Sequence, residues 1–136
     1  MADAAVGDTR TLVLTEDLTR TQIVQYAGAS GDYNPLHTDE VFAREVAGYP
    51  GVFAHGMLSM AMTARALTDW VGDGTLTKYG VRFKSQVWPG DRLTARVTVA
   101  AIRQEDGHQL VDLDVTATNA RGEEVVSGTA TARLNA

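Results

Sequence analysis

The sequence contains no cysteine. Disulfides and thiolate metal sites are thereby excluded, and nothing about the redox compartment follows from cysteine usage. Proline is sparse, with 3 among 136 residues, and 44% of residues are hydrophobic against 21% charged, the composition of an ordinary soluble globular chain rather than a disordered one. Dense basic runs are missing too. The 12 Lys and Arg residues are scattered and the formal net charge is −5, so the chain lacks the electrostatic footprint of a nucleic-acid binder. No apolar run approaches the roughly 18 residues of a membrane span. The opening MADAAVGDTR has no basic segment followed by an apolar one and does not read as a secretory signal. Cytoplasm is the expected compartment. With no repeat, low-complexity segment or linker, residues 1–136 are expected to form one domain with its own core.

What is present changes character near Gly72 to Thr77, helical before and stranded after. Thr19 and Gln22 have the spacing of a capping box opening a helix that carries Ile23, Val24 and Ala27 on one side, with Gly28 close to its stop. A short helix is expected from about Asp39 to Val46, with Thr38 as cap. From His55-Gly56 to Trp70 the residues are apolar nearly all round, the mark of a buried helix, and the Met57, Met60 and Met62 cluster reads most simply as core. After Thr77 the period becomes two. Leu93, Ala95, Val97 and Val99 alternate with polar residues, as do Val111, Leu113, Val115 and Ala117. Turn signals at Pro89-Gly90-Asp91, Asp106-Gly107 and Asn119 to Gly122 predict successive hairpins from about Tyr79 through Leu134. One apolar helix and one antiparallel sheet satisfy each other's burial if the sheet curls around the helix, which predicts an α+β hot-dog domain, a curved antiparallel sheet wrapped around a long buried central helix.

Chemistry concentrates between residues 30 and 37. Gly31 and the Asn34-Pro35 turn keep this segment out of regular structure, so Asp32 and His37 sit on a loop stiffened by the fixed φ of Pro35. A carboxylate and an imidazole can then converge on one water, one taking its proton while the other handles the proton at carbon. Gly56 opens the buried helix, where backbone N–H groups are unpaired and no side chain blocks an approaching carbonyl. Asn34 reads as a turn-setting residue, His55 as a helix-start or pocket-wall residue, and His108 as a solvated hairpin residue. Asp32 and His37 lack a third ligand at workable spacing, so no metal site is expected, and no phosphate-cradling glycine loop is present.

The run Tyr26-Ala-Gly-Ala-Ser30-Gly31-Asp32-Tyr33-Asn34-Pro35-Leu36-His37, with Ala43 beyond it, closely resembles the hydratase motif of the MaoC-like (R)-specific enoyl-CoA hydratase and 3-hydroxyacyl-thioester dehydratase family. The resemblance extends to Phe53-Ala54-His55-Gly56-Met57, to Trp70-Val71-Gly72, and to Val81-Arg82-Phe83 followed by Pro89-Gly90-Asp91. It implies reversible hydration of trans-2-enoyl thioesters to (R)-3-hydroxyacyl thioesters in fatty-acid or related metabolism. It also implies Asp32 and His37 as the catalytic pair, Gly56 as donor to the thioester carbonyl, and Ser30, Gly31, Asn34 and His55 as supporting residues. At Ala64 the chain departs from relatives that place a hydroxyl there. No cofactor is expected beyond the carrier, CoA or acyl carrier protein; free sheet edges favour oligomerisation, and the resemblance implies a dimer, a homodimer or a heterodimer with a related hot-dog subunit. Two alternatives stay open: a subunit active only with a partner chain, and a hot-dog thioesterase.

Overall fold

The structure, a computed structural model, describes residue 1 and residues 3–134. Five strands, β1 (Thr9–Thr15), β2 (Leu76–Phe83), β3 (Leu93–Glu105), β4 (His108–Thr118) and β5 (Glu124–Leu134), form one antiparallel sheet in the order β1-β3-β4-β5-β2. Two helices, α1 (Arg20–Ser30) and α2 (Gly56–Val71), precede β2. The alternation predicted for β3 and β4 holds throughout: Leu93, Ala95, Val97 and Val99, then Val111, Leu113, Val115 and Ala117, are all buried. They form one apolar sheet face that α2 covers. A bulge between Val99 and Ala101 and another between Ala117 and Thr118 interrupt the ladders, and such bulges bend strands and increase twist. The result is the hot-dog arrangement, a curved sheet around one long helix.

The sheet covers α2 on one side. Ser59, Thr63, Ala66, Leu67, Trp70 and Val71 recur at helical spacing and are buried against the strands. Met57, in contrast, is 55% exposed, so it is not the core residue that the apolar run predicted, while Met62 is partly buried and packs against the core. A sheet can reach only the near half of a helix, and the far half of α2 is left facing outward. Among the described residues no helix is long and apolar enough to cross a membrane.

Three local expectations are corrected. The Pro89-Gly90-Asp91 turn forms, with Asp91 N–H bonded to the Trp88 carbonyl at 3.0 Å, yet it does not join neighbouring strands. Its backbone pairs with Leu18 instead (Gly90 N–H to Leu18 O, 2.7 Å; Leu18 N–H to Asp91 O, 2.9 Å), and β2 crosses to the far edge to pair with β5. Among the described residues, only β3–β4 and β4–β5 are hairpins of consecutive strands. The helix expected from about Asp39 to Val46 is present, helical from Glu40 and π-helical over Phe42–Val46, but it is capped by the Asp39 carboxylate, which accepts the Phe42 N–H at 3.1 Å, rather than by Thr38. Finally, β1 was not anticipated: it is an edge strand in which only Leu14 is buried, too little for a clear alternation.

Candidate active site

The capping box predicted at Thr19 and Gln22 opens α1, with Gln22 N–H bonded to Thr19 Oγ1 at 3.1 Å and Thr19 N–H to Gln22 Oε1 at 2.9 Å. Ile23 and Ala27 face the core, whereas Val24 is 55% exposed. The helix runs past Gly28 and ends at Gly31, whose φ of 75° lies in the left-handed region that favours glycine, and whose N–H bonds to the Ala27 carbonyl. From there the chain is shaped by its own polar side chains. Asp32 N–H donates to Ser30 Oγ (3.2 Å), Asn34 N–H to Asp32 Oδ1 (3.2 Å) and Leu36 N–H to Asn34 Oδ1 (3.0 Å). Pro35 then starts a 3-10 turn, Pro35–His37. Ser30, Gly31 and Asn34 thus set the path of the loop.

This path brings Asp32, His37 and His55 together, each offering a polar atom within 4.8 Å of the others. His37 is 9% exposed and its Nδ1 lies 2.7 Å from the Phe53 carbonyl. A carbonyl only accepts, so Nδ1 carries the hydrogen and the lone pair of the neutral ring is on Nε2. His55 has the opposite tautomer. Its Nε2 lies 3.0 Å from the Asp32 carbonyl and must donate, while its Nδ1 is buried with no protein partner. Burial holds His55 below the usual histidine range, and the neighbouring His37 adds to this, against an opposing pull from Asp32.

The two imidazoles stack at 3.8 Å between centroids with 27° between planes, Tyr26 presses its edge on His55 at 4.8 Å, and Phe53 packs edge-on against His37 at 5.3 Å. The expectation that Asp32 and His37 lack a third ligand-type neighbour is corrected: His55, 18 residues beyond His37, folds back to stand beside both.

His55 caps α2 with its carbonyl, accepting from Leu58 N–H at 3.1 Å and Ser59 N–H at 3.3 Å. Gly56 follows as the first helical residue, so its own N–H has no partner inside the helix, at the positive end of the helix dipole. A Cβ placed on Gly56 would lie 3.3 Å from the Phe83 ring. Beside it opens a cavity of about 240 Å³, bounded by Phe53, Ala54, Ser59, Phe83, Val87 and Val125. The Phe53 carbonyl, the Phe83 wall and the cavity floor were not legible as site features. Phe53 stood in the Phe-Ala-His-Gly-Met element, but a main-chain acceptor carries no residue signature. Thr63, next to Ala64, turns its hydroxyl along its own helix to Ser59 O at 2.7 Å.

An ordered Asp and His beside the bare N-terminus of a buried helix on a hot-dog sheet matches a known family, and residues 2–121 match the MaoC like domain. The chain belongs to the MaoC-like family. It is 32% identical over 130 residues to the mitochondrial 3-hydroxyacyl-[acyl-carrier-protein] dehydratase of Arabidopsis thaliana, covering 95% of this chain and 76% of that protein. It is 33% identical over 100 residues to 3-hydroxyacyl-thioester dehydratase Y of Mycobacterium tuberculosis, covering 71% of this chain and 33% of that one. Among solved structures, the (R)-hydratase from A. caviae involved in PHA biosynthesis superposes with a TM-score of 0.86 at 28% identity, covering 99% of this chain and 100% of that one. The chain spans no more than 33% of the length of the curated relatives it matches first. Its MaoC-like character covers the whole Asp32 to Gly56 constellation and most of the sheet.

Proposed function

We propose that this MaoC-like chain hydrates trans-2-enoyl thioesters to (R)-3-hydroxyacyl thioesters, or runs the reverse dehydration, with Asp32 and His37 as the catalytic pair and Gly56 as carbonyl donor. The observation that carries this reading is the Nδ1–H bond from His37 to the Phe53 carbonyl, which puts the lone pair of the neutral ring on Nε2, in a side chain whose polar atoms come within 4.8 Å of those of Asp32. A water held between Asp32 and His37 loses a proton to one of them as its oxygen bonds to the β-carbon. The π electrons move to the carbonyl oxygen, where the Gly56 N–H offsets the developing charge, and the pair then passes the proton taken from the water to the α-carbon, which restores both groups. Water is consumed and no electrons leave or enter, so the step needs no redox cofactor. Ser30, Gly31 and Asn34 support the pair by fixing its loop, and His55 supports it by holding the Asp32 carbonyl and stacking on His37.

The substrate in this reading arrives on CoA or acyl carrier protein, and residues 1–136 act as one domain in the cytoplasm. The outward half of α2, with Met57 exposed, favours assembly with a second hot-dog chain, identical or related. Incubating the chain with trans-2-butenoyl-CoA tests the reading. Loss of enoyl absorbance with formation of the (R)-3-hydroxy product supports it. Release of free thiol without hydration would make the chain a thioesterase, and activity appearing only with a co-expressed related chain would make it a subunit of a heteromer.

A further inference from the structure

Glu40 has no part in the chemistry above, yet its carboxylate lies among Arg20, Arg44 and the Val52 N–H. Its carboxylate pairs with Arg20 at the start of α1 and with Arg44 Nε at 3.2 Å, and it accepts the Val52 N–H at 3.4 Å. Arg44 Nε gives its one hydrogen to the Pro50 carbonyl at 2.9 Å and faces Glu40 Oε2 as a charge alone, so the same group of charges grips two successive stretches of the 50–52 backbone. Gly51, between them, is buried, and a Cβ there would meet Glu40 Oε2 at 2.9 Å. The absent side chain is what lets the carboxylate close on the loop. The Arg20 bond keeps Glu40 below the usual carboxylate range, so it stays charged at neutral pH.

The gripped segment leads straight into the site. Immediately after Val52, Phe53 N–H bonds to the Leu36 carbonyl at 3.3 Å, its own carbonyl takes the His37 Nδ1–H, and Ala54 N–H bonds to the Val87 carbonyl at 2.7 Å before His55 and Gly56 begin α2. We infer that Glu40 is a positioning residue for His37: with Arg20 and Arg44 it clamps residues 50–52, and the clamp sets where the Phe53 carbonyl meets Nδ1–H. Because that bond decides which nitrogen bears the lone pair, a slack clamp releases the tautomer as well as the ring angle. The kinetic consequence rests on the hydration reading, whereas the tautomer consequence does not.

The test compares wild type with Glu40→Gln, which keeps the shape and drops the charge, and with Gly51→Ala, which forces the clamp open from the opposite side. Long-range proton–nitrogen NMR on 15N-histidine-labelled chain reports the His37 tautomer directly. In both variants the Nδ1–H form should lose population to the Nε2–H form. Hydration should lose about 10- to 100-fold in kcat with KM changed less than about threefold, the pattern of a misplaced reacting group rather than of lost binding. His37 ring signals identical to wild type in both variants overturn the inference, whatever happens to the melting temperature. If wild type itself hydrates nothing, the functional reading fails, and the ring signals still decide whether Glu40 positions His37.

Discussion

The two sides of α2 are built on different physics. Along its length, Leu67, Ala66 and Val71 are held by apolar burial against a sheet face that is itself buried residue by residue. At its N-terminal end the Ser30–Gly56 region has few apolar anchors, and is held by directed bonds: Asx-type turns at Asp32 and Asn34, a carbonyl on each histidine, and an ion cluster at Glu40. Burial is non-directional and tolerant of small shifts, whereas a tautomer or a turn is set by single bonds. The stable part of the molecule and the reactive part can therefore be damaged separately.

The largest separation is expected at the proposed catalytic pair. Asp32→Asn and His37→Ala should each lower hydration by about a thousandfold or more with the fold retained, the melting temperature staying close to wild type for Asp32→Asn, where the residue is exposed, and falling modestly for His37→Ala, where a buried ring and its Phe53 bond are lost. Parallel kinetics and thermal melts check this. The converse variant is Leu67→Ala, at a site with 0% exposure facing the sheet. It should cost about 2–5 kcal/mol of stability by leaving a cavity, measured by urea unfolding, with folded protein retaining near-normal KM.

His55 belongs to both regions, and its variant sharpens the boundary. Its folded pKa lies below the ordinary 6.5 because burial penalises the charged ring. The unfolded chain therefore takes up a proton as pH falls below 6.5 while the native ring resists. The stability tied to neutral His55 is fully present above that pH and is lost as pH falls through the folded pKa. Melting temperature scanned from about pH 7.5 to about pH 5 should decline, and His55→Phe should flatten that decline while lowering activity through the lost Asp32 bond. The smallest effect is expected at Thr19→Ala, which removes the α1 cap: about 1 kcal/mol in denaturant unfolding, with kcat little changed.

The same contrast explains what could be read from the sequence. The period-two runs of β3 and β4 announced their buried face because each inward residue is apolar, and the Gly31 to His37 loop was legible because Asp, Asn and Pro encode turns through their own side chains. Pairings between distant segments were not legible. Nothing in Pro89-Gly90-Asp91 says that its backbone bonds go to Leu18 rather than to a hairpin partner, and β1 gives too few buried residues to show a period. Thr38 and Asp39 are both good caps, and only the geometry chose Asp39. Within the site, Asp32, His37 and Gly56 could be named from residue type. The Phe53 carbonyl, the stacking of His55 on His37 and the Glu40 clamp depend on where the 50–56 segment lies, which a linear pattern does not express.

The most direct measurement is a double-variant cycle on Asp32 and His37, read as the hydration rate of trans-2-butenoyl-CoA. If the two residues work as one unit on one water, each single variant loses about a thousandfold or more and the double variant loses less than about tenfold beyond the worse single. A single variant that keeps a rate near that of wild type, or two losses that multiply in full, would contradict the shared-water pair.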